Sequence, residues 1–210
     1  MVPPARRASP AHRPSRRNDI VQASIRVFAR QGYADASIQD IAAEAGVAPT
    51  AVYYHFAGKE DLFDVALRRI METVTAVVRA ARADDEPGDA ESLGHVIEAV
   101  WDWLDAHPDE NQLLHHHLPG VTSQARILQQ EFEAIHVQRA FAYLATTAGR
   151  RSRRSATADH ATASLAVRTL NSLVILVHPL RSEEGPIARH RPRDVRAALV
   201  EVAERIVSVS

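Results

Sequence analysis

At 210 residues, 46% of them apolar, the chain is long enough to bury a sizeable core. Its eight glycines and eleven prolines are too few for a fibrous or low-complexity protein. Formal net charge is −1, from 25 basic and 26 acidic residues, which argues against a generally cationic nucleic-acid coat protein. The absence of cysteine excludes disulfides, thiolate zinc sites and cysteine nucleophiles. Apolar runs such as Leu173 to Val177 are far too short to cross a bilayer. No apolar stretch follows the arginine- and proline-rich start, so a cytoplasmic protein is expected. Among the basic residues only Lys59 is lysine and the other 24 are arginine, a bias that high-GC codon usage explains without any functional message.

Residues 1–15 hold four prolines and three arginines with no periodic apolar signal, and are predicted to be a disordered basic tail. From Arg16 the pattern turns helical: Ile20, Ala23, Val27 and Phe28 share a face, with Gly32 as the expected C-terminal stop. Ser37 can cap a helix that carries Asp40 three residues on and runs to Ala45 before Gly46. A second short helix is predicted from Pro49, suited to a first helical turn, to about His55. After Gly58 the apolar residues recur every three to four positions from Leu62 to Val78, giving one long amphipathic helix to about Ala83. Further helices are predicted for Ala90–His107, Glu110–His117, Ser123–Ala148, Ala156–Val177 and Arg193–Val209, parted by proline, glycine and arginine breaks. No β-alternation of useful length and no internal repeat emerges. The fold class is therefore all-α, of about nine helices.

Ser37–Ala45 and Pro49–His55, joined across Gly46-Val47-Ala48, have the pattern of a helix-turn-helix, whose second helix can lie in a major groove. Ile38, Ile41, Ala42, Val47 and Val52 stand where the two helices must meet. Thr50, Tyr53, Tyr54 and His55 carry polar or amphipathic tips suited to phosphate and base-edge contacts. Tyr53, Tyr54 and Phe56 are also open to an ordinary reading as core aromatics. Across Arg16 to Phe63 the residues Phe28, Gly32, Tyr33, Ser37, Ile38, Ile41, Ala42, Gly46, Val47, Val52, Tyr53, His55, Phe56, Lys59, Asp61 and Leu62 follow one another at short, fixed separations. In this run the chain resembles the TetR family of bacterial transcriptional regulators. The rest matches only in the number and length of its helices.

The resemblance implies a tail over residues 1–15, a three-helix DNA-binding domain over 16–62 and a helical ligand-binding and dimerisation domain over 63–210. It implies a homodimer on a palindromic operator in double-stranded DNA, most simply a repressor released by a small-molecule effector. Carried over by residue, Ser37 would contact phosphate; Thr50, Ala51 and Tyr54 would face the groove; Tyr53, His55 and Lys59 would hold the DNA backbone. Arg16 and Arg17 join this set as the basic start of the first helix. Two departures stand out: Ala48 where serine or threonine is common, and Gly58 where a small hydroxyl residue precedes the lysine.

Independently of the resemblance, the last predicted helix places Val195, Leu199, Val202, Ile206 and Val209 in a heptad seam, and Ala156–Val177 is apolar nearly all round. Leu173, Val177, Val195, Leu199, Val202 and Ile206 are accordingly the dimerisation candidates. Ligand candidates are Trp101, Trp103, His115, His116, His117, Phe132, His136, Asn171 and His178, the scattered polar lining of a mainly apolar pocket. Trp101 and Trp103 cannot share one helical face, so one is expected in the core and the other partly exposed. Asn171, mid-way along an apolar helix, needs a partner, either a ligand or the twin helix across a dimer axis. Three successive histidines on a helix diverge by about 100° each and cannot all ligate one ion, so neither a metal site nor a cofactor is expected. No Ser/His/Asp order or glycine-rich phosphate loop points to an enzyme. An activator or a partner-controlled regulator of the same fold fits the sequence equally. An interaction module that has lost DNA binding is at odds with the polar tips still present. Charge is unevenly divided: residues 1–17 carry +5, residues 18–60 carry −2, and residues 61–210 carry −4. Attraction to DNA is therefore assigned mainly to the arm.

Overall fold

The computed structural model describes residues 16–82, 91–117, 122–128, 130–132, 134, 135, 138, 165, 169, 174, 177, 178, 185 and 187–208. Among them seven helices have defined bounds: α1 (Arg16–Asp35), α2 (Ile38–Ala45), α3 (Pro49–His55), α4 (Lys59–Ala81), α5 (Glu91–Ala106), α6 (Pro108–His117) and α7 (Pro192–Ser208). No described residue lies in a strand. The tail at 1–15 and most of the two helices predicted over 123–148 and 156–177 lie outside the described residues, although residues 123–128 are helical as expected.

The predicted stop at Gly32 is a kink instead. Its φ of 80° and ψ of 164° break the helical run, and helix resumes as far as Asp35. Glycine tolerates this left-handed conformation because it has no Cβ to clash. The signals around α2 act as the sequence implies. The Ser37 hydroxyl accepts from the Asp40 amide at 3.1 Å while the Asp40 carboxylate accepts from the Ser37 amide at 3.1 Å, a reciprocal capping box. Gly46 closes the helix at φ 65°, and the Val47 amide then donates to Ala42 O at 2.9 Å. Pro49 opens α3 with no side-chain cap from Ala48. Gly58 gives α4 none either, but the Asp61 carboxylate accepts from the Ala57 amide at 2.8 Å and supplies a partner just ahead of that helix. Prolines also fix two boundaries: α6 and α7 begin at Pro108 and Pro192, slightly before the predicted starts, because a first-turn position loses nothing by lacking an N–H.

One apolar cluster runs from the first helix to the last. Phe28 and Phe63, both fully buried, meet edge-on at 5.2 Å, and Tyr33 completes a ring triangle at 6.0 and 4.9 Å. Helix α1 lies against α2, α4 and α6, while α3 rests on α2. Helix α5 is enclosed by α4, α6 and α7. This enclosure corrects the expectation for the two tryptophans: Trp101 and Trp103 are both buried, because α5 has covered surface on more than one face. No helix among the described residues is long and apolar enough to cross a membrane.

Candidate nucleic-acid interface

Two short helices at a tight glycine turn present α3 at the molecular surface. Val52 is its single fully buried side chain and joins the apolar cluster that also holds Ile38, Ile41 and Ala42 of α2, on which α3 packs. With that one anchor inward, most of the remaining side chains of the seven-residue helix face out. Thr50 is exposed, Ala51 and His55 are half-buried, Tyr53 is 56% exposed and Tyr54 85% exposed. Of the three aromatics with two readings, Phe56 alone is core, and the tyrosines stand in solvent. Tyr54 leans edge-on against His55 at 5.0 Å, which orients both rings along one edge of α3. An aromatic ring almost wholly exposed gains nothing from burial in the protomer; what it offers is a hydroxyl and a face for a partner.

The flanks of α3 are charged. Arg16 and Arg17 are exposed in the first turn of α1, and the Arg17 guanidinium sits 5.0 Å from the Phe56 ring centroid. That contact parks a cation beside the C-terminal end of α3 with its N–H groups at the surface. Ser37 is half-buried, and its hydroxyl is engaged in the α2 capping box. Lys59 is at the first position of α4, but its ammonium points back at α1. Its Nζ donates to Tyr33 O at 2.8 Å, Ala34 O at 3.1 Å and Ala36 O at 3.0 Å.

Two contacts that position the motif have no local sequence signal. The Glu44 carboxylate accepts from Arg26 Nε at 2.6 Å and Arg30 Nη2 at 3.1 Å, stapling α2 to α1, and these bonds hold its pKa below the usual carboxylate range. Arg26 and Arg30 share a helical face, yet their partner lies 18 and 14 residues away, so only the fold reveals it. Asp64, near the start of α4, accepts from the Thr122 hydroxyl at 3.0 Å and ties that helix to the segment at 122–128. Burial raises its pKa, the bond from Thr122 offsets part of the rise, and Glu60 and Asp61 push the same way as burial. Tyr33 is raised as well, by burial and then by Glu60 and Asp64.

The remaining candidates separate into a seam and a core. Val177, Val195, Leu199 and Val202 line one apolar groove of about 320 Å³, completed by Ile187, His190, Asp194 and Ala198. Leu173 and the side chain of Ile206 lie outside the described residues. Trp101 is fully buried under the Arg196 guanidinium and meets His178 edge-on at 5.0 Å. Trp103 stacks on His107 at 4.6 Å. His178 Nε2 is 2.8 Å from the Asp105 carboxylate and its Nδ1 is 2.9 Å from the Asn111 amide, a bridge between α5 and α6. None of these three lines the groove. Phe132 is half-buried against the core. The side chains of His115, His116 and His117, together with His136 and Asn171, lie outside the described residues.

A capped helix, a glycine turn and a second helix that buries one valine and exposes its tyrosines have the arrangement of a helix-turn-helix. Residues 20–66 match the family described as bacterial regulatory proteins, tetR family. The HTH-type transcriptional regulator TtgR of Pseudomonas putida is 31% identical over 122 residues, which are 57% of this chain and 58% of TtgR. The HTH-type transcriptional repressor KstR2 of Mycobacterium tuberculosis is 28% identical over 130 residues, 62% of this chain and 58% of KstR2. Each alignment thus spans under two thirds of the relative. The crystal structure of AibR in complex with isovaleryl coenzyme A and operator DNA superposes with a TM-score of 0.70 at 16% identity, covering 90% of this chain and 97% of AibR, and shares the fold. Through residues 20–66 the chain is similar to the TetR family of bacterial regulatory proteins, and over most of its length it shares the fold of solved TetR-family structures.

Proposed function

We infer that the protein is a one-component repressor that binds a palindromic operator as a homodimer and is released by a mostly apolar small molecule. The observation that carries this reading is α3 itself, a helix with Val52 as its one fully buried side chain and with Thr50, Tyr53 and Tyr54 offered to a partner. Thr50, Ala51 and Tyr54 read base edges; Tyr53 and His55 hold the DNA backbone, with Arg16 and Arg17 as flanking cations. The groove on α7 receives the same groove of a second copy, since four of the six seam candidates line it. Two rigid readers then match half-sites one or more helical turns apart. Repression is supported by KstR2, a named repressor, and control by a small molecule by AibR, a protein of the same fold in complex with isovaleryl coenzyme A and operator DNA.

Release follows from how α4 is held. Its first turns belong to the reading head through Phe63, and Asp64 and Arg68 reach across to Thr122 and Glu131 of the following helical segment. A ligand that shifts this segment drags α4, changes the separation of the two α3 helices and loses both half-sites together. Genomic DNA fragments captured by the purified protein identify the operator, and a panel of mostly apolar small molecules, with acyl coenzyme A thioesters of short to long chain as the charged comparison, is then titrated into the complex. Release by one member at micromolar concentration is expected; an operator complex that is strengthened by its effector, or that activates transcription in vitro, assigns an activator instead.

A further inference from the structure

The single lysine of the chain occupies a position that arginine fits poorly. Lys59 Nζ has three carbonyl oxygens around it, those of Tyr33, Ala34 and Ala36, at 2.8, 3.1 and 3.0 Å. An ammonium has three N–H bonds spread about one atom, so these acceptors use its full donor capacity. A guanidinium is a flat fork whose donors diverge within one plane, and it cannot serve three oxygens gathered about a point. The same Nζ lies 4.7 Å from the Tyr33 ring centroid, adding a cation–π contact to the cradle. The acceptors belong to the kinked C-terminal stretch of α1 and its exit, beyond Gly32, where carbonyls lack helical partners. Among 25 basic residues, 24 of them arginine, lysine stands at this one place.

We propose that Lys59 is a latch joining the end of α1 to the start of α4, a positioning residue for DNA binding rather than a phosphate ligand. With every proton given to carbonyls, the ammonium can reach a phosphate only by surrendering bonds that hold α1 in place. Two helices fixed by it carry opposite loads. Helix α1 supports α2 and hence the reader, and α4 leads into the larger part of the chain. The latch therefore keeps the reading head in register with α4 when that helix moves. It rests on the DNA-binding reading for its consequence but not for its geometry.

The lone lysine makes the test clean. Lysine-selective ¹⁵N labelling yields one side-chain ammonium signal, assigned by its loss in Lys59→Arg. The latch predicts that this signal is visible in the free protein, protected from solvent exchange, and keeps its shift when operator DNA is added. A signal invisible in the free protein that emerges only with DNA overturns the latch. In parallel, Lys59→Met, which keeps the stem, is expected to weaken operator binding about tenfold with the slope of log affinity against log salt unchanged. Loss of a phosphate contact instead lowers that slope by about 0.9 per chain, and such a result contradicts the proposal. Full rescue by Lys59→Arg contradicts it as well, since it shows that charge alone suffices. If no DNA is bound at all, the functional reading fails, while the ammonium signal of the free protein still decides the latch.

Discussion

Replacing Val202 by glutamate tests the proposed dimer seam separately from the protomer fold. Val202 is 44% exposed in the single chain, so Val202→Glu leaves the intramolecular core intact, unlike a change at Leu199, which is 5% exposed. Once a second copy closes the groove, the new carboxylate meets Val195, Ala198 and Leu199, with Asp194 already present as a like charge. Burying an unpaired carboxylate costs several kcal/mol, reduced by relaxation and residual water to about 2 kcal/mol for each seam residue. Two copies per dimer give about 4 kcal/mol, which raises the dimer dissociation constant roughly a thousandfold at about 1.4 kcal/mol per decade. Size-exclusion chromatography with light scattering at micromolar concentration reads this directly. The wild type is expected at twice 23.1 kDa and the variant at 23.1 kDa, with matching far-ultraviolet dichroism. Operator affinity should collapse with the dimer, because each half-site alone is held weakly. A Val202→Glu protein that remains dimeric and binds operator normally refutes the seam assignment, as does a wild type that runs as a monomer.

Other consequences are testable with simple substitutions. Tyr54→Ala, at the most exposed ring on α3, should leave the melting temperature unchanged and alter base preference at one position per half-site by about 1–3 kcal/mol, read by competition among operator variants. Tyr53→Ala should weaken binding alike across sequences. Glu44→Gln and Asp64→Asn should shift acid stability in opposite directions. Glu44 has a lowered pKa, so its contribution is present above the ordinary glutamate value near 4.5 and is lost as pH falls through its folded value; Glu44→Gln removes that contribution, and the variant should lose less stability on acidification than the wild type. Asp64 has a raised pKa, so its charge opposes folding at neutral pH, and Asp64→Asn is expected to match or exceed wild-type stability at pH 7 in thermal melts. Deleting residues 1–15 removes three arginines per chain and should lower affinity and flatten the salt dependence, and an unchanged slope assigns the arm no part in binding.

Local chemistry made much of this architecture readable before any coordinates. Ser37 with Asp40, Gly46 and Pro49 mark the bounds of α2 and α3 because caps and left-handed turns act within four residues of the chain. Gly32 shows the limit of such signals, since a positive φ can kink a helix as readily as end it, and the packing around Tyr33 and Phe63 decides which. The burial of both Trp101 and Trp103 was illegible because periodicity within α5 does not reveal how many neighbours enclose it. Lys59 carried a stronger ambiguity. Its place at a helix start suggests an anion, and only the return of α1 from 23 to 26 residues earlier discloses its three acceptors. The exposed tyrosines were the converse: sequence left them between core and surface, and one buried valine settles it.

In the proposed function α3, offered by a two-fold pair of reading heads, selects a DNA sequence. Sequencing of genomic fragments retained by the purified full-length protein at near-physiological salt tests it most directly, with Tyr54→Ala run alongside. An enriched inverted repeat is expected, its half-sites about ten base pairs or a multiple apart, with the variant enriching an altered repeat. Fragments that share no motif, or a motif without two-fold symmetry that Tyr54→Ala leaves unaltered, contradict it.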